Sequence, residues 1–354
     1  MQRLIALLAG TLVLTLESAV AHAGGWHAVA FMYHRFGEDQ YPATNVTLEQ
    51  FEAHLDYLGE EGYTVWPIER IVDHMQSGGN VPDRTVAITI DDAYRSVYDN
   101  AYPILKEREL PFSVFVATDP IDEGLSGYMT WEQMREMQEH GATFANHSAT
   151  HDYLVRRENG ESDEDYRTRV REDLLRARAR LDEELDAERI VDLFAYPYGE
   201  YNAVVAAVAA DLGYVSLGQQ SGAIGPYSDA RALPRFPMAE NYAAIDEFSE
   251  KARSKGLPVA EMEPWDPELA DGTPPRMTVQ LGESEARLDQ LACFVSRQGQ
   301  VDVEWIDREA RIFAVQAPEE LPTGRTRYNC TAPSPEAGRF YWLSQQWVLP
   351  PAAD

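Results

Sequence analysis

The sequence predicts an α/β barrel or open α/β sheet followed by a small all-β domain. Two observations lead there. From Trp26 to about Leu257, short apolar runs alternate with amphipathic stretches of helical period. From about Met277 onward, only short alternating runs separated by Gly and Pro turns remain. At 354 residues and 44% hydrophobic content the chain is long enough for two cores.

Taken in order, HAVAFMYH reads as the first strand, and TLEQFEAHLDYLGEEGY as a helix. Thr47 and Gln50 form its capping box, Phe51, Leu55 and Leu58 share one face, and Gly62 stops it. TVAITI leads to a helix around VYDNAYPILKEREL, PFSVFVA to TWEQMREMQEHG, and ATFANH to a long charged helix over residues 163–185. IVDLFAY then leads to YNAVVAAVAADLG. Strand–helix alternation of this kind builds parallel sheets, whose chemistry gathers at the C-terminal ends of the strands. The Pro- and acid-rich stretch 258–276 reads as a linker or wrapping extension. MTVQLGE, ACFVSRQGQVDVEWID, RIFAVQAP, RTRYNCTAP and FYWLSQQWVL make a sandwich-like β domain over 277–354. Within it Tyr341, Trp342 and Trp347 read either as core or as a glycan-gripping surface.

Fifty-nine acids against thirty bases, with only Lys106, Lys251 and Lys255 as lysines, give a formal charge of −29. Such a surface repels nucleic acid and anionic membranes. Residues 1–23 read as an export signal: Arg3, the apolar run LIALLAGTLVLTL, and the small-residue site AHA. The expectation is a mature chain starting near Gly24, with its α/β domain over 24–257, periplasmic or secreted and with no integral membrane segment after cleavage, a retained uncleaved anchor being the alternative. In that setting the two cysteines, Cys293 and Cys330, are expected to pair, two free buried thiols being the alternative.

Three apolar strands end in reactive residues. The first ends in Asp91-Asp92; adjacent side chains diverge after a strand, so one carboxylate can bind a cation while its neighbour acts as a base. The second is followed by NHSATH, where His147 and His151, four apart, fall on the same face of one helical turn and can reach one ion together with a carboxylate. The third runs into YPYG, a tight Pro-Gly turn able to aim backbone N–H groups into a cleft. His27, His54, His74 and His140 read as surface residues.

In this order TIDDA, HSATH and YPYG resemble the three motifs of the polysaccharide deacetylases of carbohydrate esterase family 4, the NodB-homology fold, over residues 28–238. The resemblance implies a distorted (β/α) barrel and a metal-dependent hydrolase that removes N-acetyl groups from an amino-sugar polysaccharide. It implies Asp91 as general base, and Asp92, His147 and His151 as ligands of a divalent metal, zinc first, with cobalt, nickel or iron as alternatives. It implies the Tyr198 N–H as oxyanion donor, within a substrate-binding turn of Tyr196, Pro197 and Tyr198.

The chain departs from the family pattern at three places. Ala93 replaces the glycine after the aspartates, and Ala195 stands where an arginine usually pairs with the catalytic aspartate. Arg235, read at the end of another strand, is the candidate substitute, a purely structural salt bridge being the alternative. After His151 there is no histidine to act as general acid, and His34, upstream, is expected to fill that role. That order resembles the circularly permuted branch, which includes poly-N-acetylglucosamine deacetylases. A non-catalytic glycan-binding protein, or an amidohydrolase of a small C–N substrate, are the rival expectations.

Overall fold

A computed structural model describes residues 25–351. The expected signal, residues 1–23, lies outside them. The central sheet follows one parallel path: Phe236–Pro237, Ala28–Tyr33, Thr85–Asp91, Phe112–Val116, Ala142–Asn146, Ile190–Ala195, Val215–Leu217. Thr64–Val65 pairs beside Thr85–Asp91. The sheet curls until its ends meet through one segment, because Leu217 bridges to Leu233 and Phe236 pairs with Phe31. The result is a small distorted barrel, with helices Leu48–Glu60, Ile68–Ser77, Trp131–Gln138, Asp163–Glu184 and Ala203–Asp211 among its connections.

Alternation along the strands explains the two sides of this wall. Val29, Phe31 and Tyr33 pack with Phe51, Leu55 and Leu58 of the first helix, whose Thr47–Gln50 capping box is formed. The intervening Ala28 and Ala30 join Ala87, Phe115, Ala145, Ala195 and Leu217 in a second cluster. Asp91 follows Ala87 and Thr89 at spacing two, so its carboxylate belongs to this alanine-rich side, where small residues leave room for a long partner.

Two further sheets form the C-terminal region. One is ordered Lys255–Gly256, Phe340–Leu349, Gly324–Pro333, Ala292–Val295, Gly299–Val301; the other Val259–Glu263, Met277–Leu281, Ile312–Val315, Glu304–Asp307. Met277, Val279, Phe313, Tyr328 and Trp347 pack in one core with Cys293 and Cys330. The two cysteines face each other on neighbouring strands and form a disulfide. Within the expected linker 258–276, residues 259–263 are a strand of the second sheet. Tyr341 and Trp347 are buried core, and Trp342 is half-buried against Phe236. No helix among the described residues is long and apolar enough to cross a membrane.

Two histidines expected at the surface are buried. His54 lies between its Tyr33 and Ala243 partners and stacks on Phe248, while His27 meets Tyr227. His54 falls three residues after Phe51, on the apolar face of the first helix, so helical spacing places it inside.

Candidate active site

The Thr85–Asp91 strand delivers Asp91 fully buried, and then the backbone turns through two left-handed residues, Asp92 (φ 73°) and Ala93 (φ 57°). That reversal separates the neighbouring carboxylates. Ala93 thus occupies a conformation that favours glycine, and it is fully buried there.

Asp91 faces Arg235. Nη1 donates to Oδ1 at 2.7 Å and Nη2 to Oδ2 at 2.8 Å, a bidentate pair with both side chains fully buried. Arg235 also donates through Nε to the Gly218 carbonyl (3.0 Å) and through Nη1 to Thr89 (3.2 Å), and its guanidinium lies over the Phe115 ring. It precedes the short Phe236–Pro237 strand rather than ending one, and it reaches the barrel interior from the closing segment. Ala195, in the inner cluster, leaves the space clear. Burial opposes ionisation of Asp91, but Arg235 and His147 outweigh it and hold the carboxyl below its ordinary range.

The His147–His151 segment is a loop, not the helical turn expected from its spacing. Ser148 and His151 are left-handed (φ 69° and 60°), and the loop is pinned by side chains. Asn146 accepts the Ser148 N–H (2.8 Å), and Ser148 accepts the His151 N–H (2.8 Å). Asp173, on the long Asp163–Glu184 helix, accepts the N–H groups of Ala149 (3.1 Å) and Thr150 (3.2 Å). The sequence gives Asn146, Ser148 and Asp173 no role of their own, yet all three hold the loop. Asn146 and Ser148 sit within the motif, whereas Asp173, 22 residues beyond His151, has no local signature.

This loop brings both Nε2 atoms to Asp92 Oδ1, at 3.1 Å from His147 and 2.9 Å from His151. Neither ring N–H meets that oxygen in hydrogen-bonding geometry, so it is buried without a donor. His147 spends its other nitrogen on the Ala195 carbonyl (2.7 Å), the arrangement that fixes a metal-ligating imidazole. Two imidazoles and a carboxylate, their donor atoms all within 4.8 Å of one another, fit a divalent ion held at about 2 Å by each. Burial disfavours the His147 cation, but Asp92, Asp91 and the Ala195 carbonyl outweigh it and raise its pKa.

His34 follows the first strand with its Nε2 3.9 Å from Asp91 Oδ2. Burial pushes its pKa down against the pull of Asp92 and Asp91. The 196–200 turn meets the loop through Tyr198. Tyr198 is left-handed (φ 58°), stacks on Tyr153 at 3.8 Å, and lies 4.6 Å from the His151 ring. Tyr196 and Pro197, expected in the substrate-binding turn, form its first two residues. Both are buried, and Tyr196 stacks on Tyr201 and donates to the Arg231 carbonyl, so it belongs to the core.

Residues 78–217, which contain all three strand-end motifs, match the family model described as polysaccharide deacetylase. Over these residues the chain is similar to the polysaccharide deacetylases. Among curated relatives, YxkH of Bacillus subtilis, whose name places it with the polysaccharide deacetylases, is 29% identical over 52% of this chain and 61% of its own length. The poly-beta-1,6-N-acetyl-D-glucosamine N-deacetylase of Escherichia coli K12 is 25% identical over 59% of this chain and 35% of its own. The chain thus spans less than two thirds of either relative. Among solved structures, the Streptococcus pyogenes deacetylase PplD in complex with acetate superposes with a TM-score of 0.57 at 22% identity, over 64% of this chain and 99% of that one. IcaB from Ammonifex degensii gives 0.55 at 24%, over 65% and 99%. At these identities the barrel shares their fold.

Proposed function

We propose that the protein is a metal-dependent hydrolase that removes N-acetyl groups from an amino-sugar polysaccharide, with poly-N-acetylglucosamine as the first candidate. The observation that carries this reading is the juxtaposition of a buried, arginine-clamped carboxylate with a three-ligand metal set on the next residue. Asp92, His147 and His151 would hold the ion, zinc first. Bound there, a divalent ion supplies Lewis acidity, which polarises an acetyl carbonyl and lowers the pKa of water toward neutrality.

The chain's own residues supply the rest. Asp91, kept ionised by Arg235, accepts a proton from the attacking water as its oxygen adds to the acetyl carbon. The Tyr198 N–H donates to the acetyl oxygen as it gains charge. His34 delivers a proton to the amide nitrogen as the C–N bond breaks, because an unprotonated amine leaves poorly. Acetate and a free amine result. An imidazole whose burial disfavours its cation gives up a proton readily once charged.

The relative named for poly-beta-1,6-N-acetyl-D-glucosamine supports the substrate class, and the disulfide supports a periplasmic or secreted location. The test is acetate release from N-acetylglucosamine oligomers by purified protein, with chelator and with zinc restored. Release that needs the metal and is lost in Asp91→Asn supports the reading. Chelator-insensitive release, or none from any acetylated glycan, would falsify it.

A further inference from the structure

Between the barrel and the β domain, the 196–200 turn holds two successive left-handed residues, Tyr198 and Gly199 (φ 70°). A tyrosine does not choose that conformation by itself. The turn's own bonds, Gly199 N–H to the Tyr196 carbonyl (2.7 Å) and Glu200 N–H to the Pro197 carbonyl (3.1 Å), leave the carbonyls of Tyr198 and Gly199 to be satisfied elsewhere. Both are satisfied by the β domain. Arg325 donates through Nη1 to the Tyr198 carbonyl, and Gln346 donates through Nε2 to the Gly199 carbonyl.

These two side chains come from one ribbon. In the pairing of Gly324–Pro333 with Phe340–Leu349, Arg327 stands opposite Gln346, and Arg325 lies two residues from Arg327, so all three share one face. Arg325 also donates to Gln219 Oε1 (2.8 Å) and Arg327 to the Gln219 carbonyl (3.1 Å). Gln219 in turn leaves no space at Gly199: an added Cβ would stand 2.5 Å from its side chain. The next residue back, Gly218, accepts from Arg235. The ribbon therefore buttresses both the oxyanion turn and the segment that supports the Asp91 clamp.

We infer that the β domain is a working part of this hydrolase, with Arg325 and Gln346 as positioning residues that hold the Tyr198–Gly199 turn, and with it the Tyr198 N–H, in its productive place. The inference rests on the deacetylase reading above. The Tyr198 carbonyl and N–H lie in the two peptide planes on either side of one left-handed residue, so removing the donor from the carbonyl frees that residue's backbone and lets the N–H shift, and the loss belongs in the chemical step and not in substrate or metal binding.

The experiment uses the full chain with zinc and compares wild type, Arg325→Met, Arg325→Lys and Gln346→Met. Acetate release gives kcat and KM, zinc stoichiometry checks the metal site, and hydrogen exchange is followed in a peptide spanning 194–202. Expected are a kcat lowered about 10- to 100-fold in Arg325→Met, an unchanged KM and zinc content, faster exchange in that peptide, and partial recovery in Arg325→Lys. Unchanged kcat and exchange overturn the inference, as does a raised KM at unchanged kcat, which would make the ribbon a substrate grip. If Arg325→Met does not fold, Gln346→Met and Arg325→Lys decide by the same two readouts. Wild-type protein that binds zinc but releases no acetate overturns the deacetylase reading instead, and the exchange data then still decide whether Arg325 holds the turn.

Discussion

Arg235 grips Asp91 with two parallel hydrogen bonds of 2.7 and 2.8 Å, and neither side chain meets solvent. A pair this deeply buried is costly to break from one side, because the remaining charge has no water to turn to. Arg235→Met is expected to lower unfolding free energy by about 3–5 kcal/mol, read by urea denaturation. Asp91→Asn removes the base and leaves the Arg235 charge buried without its counter-ion, so acetate release should fall by about 100-fold or more and stability should fall as well, with circular dichroism reporting the folded fraction. Wild-type stability in Arg235→Met would show that the clamp is not what holds this end of the barrel.

Asp173 offers a different kind of test, because it touches neither histidine ring. Its carboxylate holds the Ala149 and Thr150 N–H groups and so shapes the loop between the two imidazoles. Asp173→Ala should weaken zinc binding about 10- to 100-fold, measured by competition with a chelating dye, although Asp92, His147 and His151 are all retained. Unchanged affinity would mean that Asn146 and Ser148 hold the loop alone.

How much of this was legible in the sequence depends on whether the relevant contacts are local. The strand ends at Asp91 and Asn146 and the capping box at Thr47 follow from spacing along a few residues, and they form as expected. His147 and His151 come together, but through left-handed residues and long-range acceptors instead of helical pitch, which spacing alone cannot distinguish. His54 is buried and not at the surface because its position three residues after Phe51 sets it on the apolar face, where helical phase outweighs polarity. Arg235 meeting Asp91 across 144 residues is expected only through the family resemblance, and Arg325 meeting Tyr198 across 127 is not expected at all; both depend on barrel closure and domain packing, which no local pattern encodes.

The buried histidine predicts a pH dependence of stability. In the folded protein His54 is satisfied as a neutral ring, with Nε2 at the Ala243 carbonyl (2.8 Å) and Nδ1 at the Tyr33 hydroxyl (3.1 Å). Burial lowers its pKa from 6.5 to about 4. Between those values the unfolded chain binds a proton that the folded chain does not, so stability is full above about pH 6.5 and declines as pH falls toward 4. The contribution of His54 to that decline is about 3 kcal/mol at most. His27, lowered by burial to about 3, adds to it in the same direction. In His54→Gln the slope of unfolding free energy against pH over this window should become shallower. An identical slope would assign the acid sensitivity to other groups.

The disulfide sets the last expectation. Cys293 and Cys330 sit directly opposite each other on adjacent strands and close a loop of 37 residues in a domain with a modest core. A cross-link of that span stabilises chiefly by restricting the unfolded chain, by about 2–4 kcal/mol. Reduction, or the paired Cys293→Ala and Cys330→Ala substitutions, should therefore lower the melting transition of the β domain. The strand that carries Cys330 also carries Arg325 and Arg327, so the effect on catalysis discriminates between two consequences. At temperatures where the reduced domain stays folded, the ribbon keeps its register and kcat should be unchanged. Once the domain melts, Arg325 and Gln346 leave the Tyr198–Gly199 turn, and acetate release should fall with the β-domain transition, before the barrel itself unfolds. Scanning calorimetry with and without reductant, alongside activity measured over the same temperatures, separates the two. Activity that persists until the barrel melts would mean that the turn keeps its place without the ribbon.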